Sequence, residues 1–342
     1  MKRQKLTFCL FFIVYFLLFS CTEKQPFRFI GKTMGTTFSI AIADTMVNPG
    51  LIESTKSKVD DLLRQVNKQM STWDPTSEIS LFNKKTDNEP LPVSSDFINV
   101  LNLAKVIYHE SEGAFDPTVG PLVDLWGFGK EGSRFTPPKE EEVEKRRKYV
   151  GFDLIEIVDN KMIKKSHPET HLDLSAIAKG FGVDKVGDLL ESMDYKNFMV
   201  EIGGEVVVNG QKKSGKWRIG IDRPYFDAVP GQNLEAVIEV SNVGIATSGD
   251  YRNYFVSDDK TYSHTIDPVT GRPIVNGVAS VTVIAPNCTL ADAMATAIMV
   301  MGAKKGLKWV NSKSEVEAFI IIRTDEGYDE IFSPGFKKYL SN

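Results

Sequence analysis

Two polar residues one helical turn apart, Asp292 and Thr296, interrupt an alanine-rich apolar run from Leu290 to Met301. Side chains four apart on a helix share a face. A carboxylate and a hydroxyl so placed suit a hard cation that keeps some waters and takes phosphate oxygens from a substrate. The same residues admit a local reading, because Thr289-Leu290-Ala291-Asp292 has the spacing of a capping box. His264 is the candidate for acid–base work, since an imidazole of ordinary pKa near 6.5 accepts a proton around neutrality; a single histidine beside a strand also serves as plain structure. Asp267 is a second candidate base, or Asp267-Pro268 simply opens a turn towards Gly271. Asp173 and Lys179 bracket an expected helix start. A helix N-terminus favours anions and a lysine adds a point charge for phosphate, the alternative being a cap and a solvated side chain. Trp73 offers a ring to stack on a planar ligand or to fill the core. Gly203-Gly204 interrupt a strand pattern and mark either close approach to a ligand or a bulge.

Several familiar signatures fail on context. Gly127, Gly129 and Gly132 match G-x-G-x-x-G, but no apolar strand leads in and Pro137-Pro138 follow, so no dinucleotide fingerprint is formed. Gly31-Lys32-Thr33 resembles the end of a phosphate-binding loop, yet Pro26 stands where its first glycine belongs. The four histidines, His109, His167, His171 and His264, have no cysteine or carboxylate at zinc-ligand spacing. There is no G-x-S-x-G nucleophile elbow.

The elements that must position these residues follow from periodicity. A first strand is expected over Phe38 to Ala43, after a loop containing Gly31 and Gly35. Ile52, Val59, Leu62, Leu63, Val66 and Met70 fall at helical spacing. A second helix follows Ser94 or Ser95, and the charged stretch Lys139 to Lys148 reads as a solvated helix. Leu154 to Lys165 reads as a hairpin turning at Asp159-Asn160. Next come a helix over about Ile177 to Met193 and strands at Phe198 to Ile202 and Val206 to Val208. Further strands are expected around Trp217 to Ile221, Ala236 to Val240, Tyr262 to Ile266, Val278 to Ile284 and Val316 to Ile322. Strands arriving in runs favour α+β over a doubly wound sheet.

The first residues read as a leader. Lys2, Arg3 and Lys5 precede an apolar run from Leu6 to Phe19, followed by Ser20-Cys21 and a polar stretch. The run is short for a membrane span. Ser20-Cys21 resembles the bacterial lipobox, whose cysteine is acylated, although Phe19 occupies a position usually held by a smaller residue. The reading is a signal peptide over 1–20, a tether over 21–28 after lipidated Cys21, and one domain over 29–342; the alternative is an uncleaved signal anchor. A net charge of −4 disfavours nucleic acid as a partner. Three cysteines, two of them in or beside the leader, supply no disulfide framework, so stability must come from a core.

Eight clusters occur in a fixed order: Lys32-Thr33-Met34-Gly35-Thr36; Gly113-Ala114-Phe115-Asp116-Pro117; Pro121 to Gly129; Asp173-Leu174-Ser175-Ala176-Ile177-Ala178-Lys179-Gly180; Glu201-Ile202-Gly203-Gly204-Glu205; Ala246 to Tyr254; Ser263-His264-Thr265-Ile266-Asp267-Pro268; and Ala291 to Thr296. Together they resemble the ApbE family of FAD:protein FMN transferases from about Phe29 to the C-terminus. The resemblance implies an ApbE-like (T-fold-like) α+β architecture of largely antiparallel strands with packed helices. It implies a magnesium ion held by Asp292, Thr296 and the backbone carbonyl of Ala176. It implies an FAD site lined by Met34, Trp73, Ala114, Phe115, Asp116, Asp173, Lys179 and Ile266, with His264 or Asp267 as base. Acceptors in the family are subunits of Nqr- and Rnf-like membrane redox complexes. The implied location is therefore exported and lipid-anchored, at the periplasmic face of the inner membrane, with the outer membrane as the alternative. An FAD pyrophosphatase and a non-catalytic FAD carrier are the competing functions.

Overall fold

The computed structural model describes residues 26–44, 49–130, 132–226, 229, 231–251, 253–258 and 260–341. The expected leader and Cys21 lie outside them. One antiparallel sheet of eight strands organises the chain: β1 (Phe27–Thr33), β2 (Thr36–Ile42), β3 (Phe198–Ile202), β4 (Glu205–Asn209), β5 (Val243–Gly249), β6 (Val278–Ala285), β7 (Glu317–Thr324) and β8 (Gly327–Phe332), in that spatial order. β1 corrects the expected loop around Gly31, and it begins inside the stretch expected to be a tether. Its inward residues are only Phe29 and Thr33, too few to give a strand pattern. Gly31 is placed by its cross-strand neighbour: a Cβ there would sit 2.3 Å from the Phe38 ring.

Eight helices are described: α1 (Pro49–Met70), α2 (Glu78–Lys84), α3 (Ser95–Glu110), α4 (Gly120–Leu125), α5 (Glu140–Arg147), α6 (Ala178–Ser192), α7 (Cys288–Met301) and α8 (Ala303–Val310). The apolar faces of α1, α3, α6 and α7 bury Phe38, Ile40, Val200, Ile202, Val281 and Val283 on one side of the sheet. On the other side the hairpin Trp217–Asp222/Leu234–Val240 and Phe336 cover Ala41, Val206, Ile245 and Phe319. With both faces covered, every residue of β6 is buried, Ser280 and Thr282 included, which explains why the strand carries no charged face where a one-faced strand would alternate. The mixed antiparallel sheet with packed helices is the expected α+β class.

Three local features aim one end of this sheet. The β1–β2 turn is Met34-Gly35 and the β3–β4 turn is Gly203-Gly204, each a two-residue hairpin loop with both central φ angles positive, the geometry that matches strand twist. The glycine pair therefore makes a tight hairpin rather than a bulge. Gly203 N–H donates to the Thr37 carbonyl at 3.1 Å, so the two turns lie side by side. The strand expected over Tyr262 to Ile266 is split. Lys260–Ser263 pairs with Tyr254–Ser257, Ile266–Asp267 pairs with Arg272–Pro273, and His264 and Thr265 fall between.

Candidate functional site

A cleft of about 430 Å³ opens at this end of the sheet. It is lined by Ala176 and Lys179 at the start of α6, by Asp292 and Thr296 of α7, by Glu205 after the β3–β4 turn and by His264. Its walls also take in Trp73, Ala114, Phe115, Asp116, Asp173 and Ile266. An adjoining cavity of about 290 Å³ shares Trp73, Asp173 and Lys179 and adds Met34, Val66 and Met70. The structure thus brings together every sequence-nominated residue among the described ones except Asp267. The Asp267 carboxylate instead accepts from Val269 N–H and the Thr270 hydroxyl, both at 2.9 Å, and its carbonyl accepts from Gly271 N–H. It builds the turn towards Gly271, which leaves His264 as the base candidate in the cleft.

Asp292 is not a helix cap of its own helix. Asn287 caps α7, its Oδ1 accepting from Leu290 N–H at 2.8 Å. Asp184 of α6 takes the Cys288 and Thr289 amides at 2.8 and 2.7 Å. With its helix already capped, Asp292 reaches across to α6, where Oδ2 accepts from Gly180 N–H at 2.9 Å. Gly180 permits this approach, since a Cβ there would lie 2.4 Å from the Cys288 carbonyl oxygen. Thr296 Oγ1 and Ser248 Oγ, from β5, share a hydrogen bond at 3.1 Å.

Lys179 bridges two buried carboxylates, with Nζ 2.5 Å from Glu205 Oε1 and 3.9 Å from Asp292 Oδ1. Burial disfavours its charge, but those two carboxylates outweigh that and hold the ammonium above its ordinary pKa. Burial pushes Asp292 up. It also pushes Glu205 up to about 7, the Lys179 charge opposing it and Asp292 adding to it. Glu205 Oε2 is buried without a hydrogen-bond partner among the described residues. This donor chemistry fits a hard divalent cation: two side-chain oxygens one turn apart, a carbonyl at Ala176, and buried carboxylates whose desolvation a cation would offset. Asp116 sits deeper. Burial raises it to about 6 against hydrogen bonds from the Thr118 amide and hydroxyl at 2.8 and 2.6 Å.

His264 lines the same cleft. Asn253 O lies 2.9 Å from Nδ1 and also accepts the His264 backbone N–H at 3.1 Å. A carbonyl can only accept, so Nδ1 carries the proton and Nε2 keeps its lone pair. Burial lowers the imidazole pKa, Asn253 and Asp250 resisting, so the ring is neutral at pH 7. Trp73, far from the core, is 72% exposed at the rim shared by both cavities. Asp173 caps a local turn by accepting from Ser175 N–H at 2.8 Å, rather than capping α6.

The chain matches the model of the ApbE family over residues 34–320. It belongs to the ApbE family. Curated relatives include the FAD:protein FMN transferases of Vibrio cholerae, 44% identical over 95% of this chain and 96% of that protein, and of Haemophilus influenzae, 43% identical over 92% of each. The solved flavin transferase ApbE from Vibrio cholerae superposes with a TM-score of 0.83, at 41% identity over 92% of this chain and 99% of that one. The ApbE-type fold is therefore shared throughout the domain.

Sequence reasoning assigned no role to Glu205, Asn253, Ser248 or Gly180. Glu205 carried a usable signal: a paired-glycine hairpin puts the following residue beside the turn. Asn253 carried none, because it acts through a backbone carbonyl.

Proposed function

We propose that this chain transfers the FMN moiety of FAD, with magnesium bound, to a serine or threonine hydroxyl of an acceptor protein and releases AMP. The activity named for the relatives supports this reading. The observation that carries it is that His264, with Nδ1 tied to Asn253 O, lines the same cleft as Asp292 and Thr296. Asp292, Thr296 and the Ala176 carbonyl would hold the magnesium ion, whose charge offsets that developing on the phosphate oxygens. His264 Nε2 takes the acceptor hydroxyl proton as that oxygen attacks the FMN-side phosphorus. A phosphoester bond forms, the bond from that phosphorus to the bridging oxygen breaks, and the bridging oxygen leaves with AMP. His264 then gives its proton to AMP or to water. Lys179, kept charged by Glu205 and Asp292, supplies a cation for the pyrophosphate, and Trp73 offers a face for a planar ring.

Incubation with FAD, magnesium and a candidate acceptor tests this. Transfer gives fluorescent protein on a denaturing gel together with AMP. AMP with free FMN instead indicates a pyrophosphatase, and neither product indicates a carrier. The basic start and Ser20-Cys21 support export and lipid anchoring, at the periplasmic face of the inner membrane, where Nqr- or Rnf-like acceptor subunits would be met. Cys21→Ser should move the protein from the membrane fraction to the soluble fraction; retention in the membrane fraction would refute the anchor.

A further inference from the structure

Lys165 ends the strand Met162–Lys165 of a small three-stranded sheet and is 1% exposed. Its Nζ donates to the carbonyls of Asn83 at 3.0 Å, Pro168 at 2.8 Å and Thr170 at 3.0 Å, using all three ammonium protons. The Phe82 ring lies 5.3 Å away. Among the described residues no carboxylate pairs with it. The charged or titratable groups around it are Lys85, itself paired with Asp87, and His171, which burial and nearby cations hold neutral at pH 7. Burying a cation against carbonyls alone is costly, and an apolar side chain of similar size would fill the space more cheaply. Filling space therefore does not account for a lysine here.

The bonds converge on the segment that feeds the cleft. Asn83 of α2 grips Leu172 at both ends, with Nδ2 donating to the Leu172 carbonyl and Oδ1 accepting its N–H, each at 2.8 Å. Asp173 N–H then donates to the Pro117 carbonyl at 2.7 Å. Immediately downstream come Asp173, Ala176 and Lys179. We propose that Lys165 is a positioning residue for the nucleotide site, its ammonium tying the 166–172 segment, through the Pro168 and Thr170 carbonyls, to the Asn83 carbonyl of α2, so that Asp173 to Lys179 are held against the cleft. This rests on the reading of the cleft as an FAD site.

The clamp titrates. Burial, with a smaller contribution from the Lys85 charge, lowers Lys165 to about 8. A neutral amine has two protons for three carbonyls and turns a lone pair towards the third. FAD affinity should therefore fall as pH rises through about 8. Global stability moves the other way. A cation whose folded pKa is depressed costs stability below that pKa, and the cost fades as pH rises towards its unfolded value. A lysine with a purely structural role would not separate these two trends.

The test is the FAD dissociation constant, read by flavin fluorescence, and Tm, for wild type and Lys165→Met across pH 7 to about 9.5. One lost hydrogen bond predicts about a fivefold weakening in wild type, with no matching fall in Tm. Lys165→Met, which loses all three bonds, should bind at pH 7 at least as weakly as wild type does at the alkaline end, with a flat profile. A flat wild-type profile, or a variant that reproduces the wild-type slope and affinity, overturns the proposal. If Lys165→Met fails to fold, Asn83→Ala decides: it keeps the ammonium but frees Leu172, so it must weaken binding at pH 7 and retain the alkaline loss. Wild type that binds no FAD at any pH refutes the flavin reading itself.

Discussion

At the scale of single residues, burial and one carbonyl set the protonation states of the site. His264 is neutral because burial lowers its pKa, and Asn253 directs its free lone pair. His264→Gln should lower the transfer rate by roughly a hundredfold or more, the usual worth of a general base, and leave FAD affinity unchanged. The acid limb of the wild-type rate should lie below the ordinary imidazole value. A limb at or above 6.5, or a variant of normal rate, would remove His264 from the reaction. Asp116 gives a second check. Its folded pKa of about 6 lies above the unfolded 3.8, so the folded state binds more protons between those values and stability falls as pH rises through that window. Asp116→Asn keeps an acceptor for Thr118 without the buried charge. It should gain on the order of 2 kcal/mol at pH 7 and flatten the profile between pH 4 and 6, measured by urea unfolding at each pH. The Asp292–Thr296 spacing was legible because one helix carries both residues. The Lys179–Glu205 and Asp292–Gly180 contacts were not, because each joins separate elements and leaves no periodic trace in the sequence.

At the scale of elements, the site exists because α6 and α7 meet more closely than ordinary side chains allow. Gly180 is the contact point. Gly180→Val should push the helices apart, cost about 1–3 kcal/mol as an overpacking change, and lower transfer more than its stability loss explains. Thermal unfolding beside activity would show it, and a variant unaffected in both would contradict the packing argument. Capping makes a complementary prediction. Asn287→Ala should cost about 1 kcal/mol without altering magnesium dependence, since cap and cation candidate are different residues. The sequence left these roles open, because Thr289 to Asp292 has the spacing of a capping box; only the position of Asn287 and the reach of Asp184 separate them. The amphipathic helices α1 and α3 and strands β2, β3, β4, β6 and β7 were readable from periodicity, whereas β5 was not, since Gly244, Ala246, Thr247, Ser248 and Gly249 give it no apolar alternation. β1 was not, having few inward side chains, and neither was the break at His264, which depends on a hydrogen bond to Asn253 eleven residues earlier.

At the scale of the molecule, an antiparallel sheet covered on both faces leaves its chemistry at one end. There the Met34-Gly35 and Gly203-Gly204 turns, the end of β5, the start of α6 and the middle of α7 converge. The sheet and helices supply positions, and the loops carrying Trp73, Asp116 and His264 complete the lining of the cleft. The measurement that tests this arrangement most directly is the yield of covalent flavin on an acceptor protein as magnesium is raised, for wild type and Asp292→Ala, with circular dichroism on both. Wild type should show a saturable rise, and a folded Asp292→Ala variant no covalent flavin at any magnesium concentration. A folded Asp292→Ala protein that reaches the wild-type yield would contradict this arrangement.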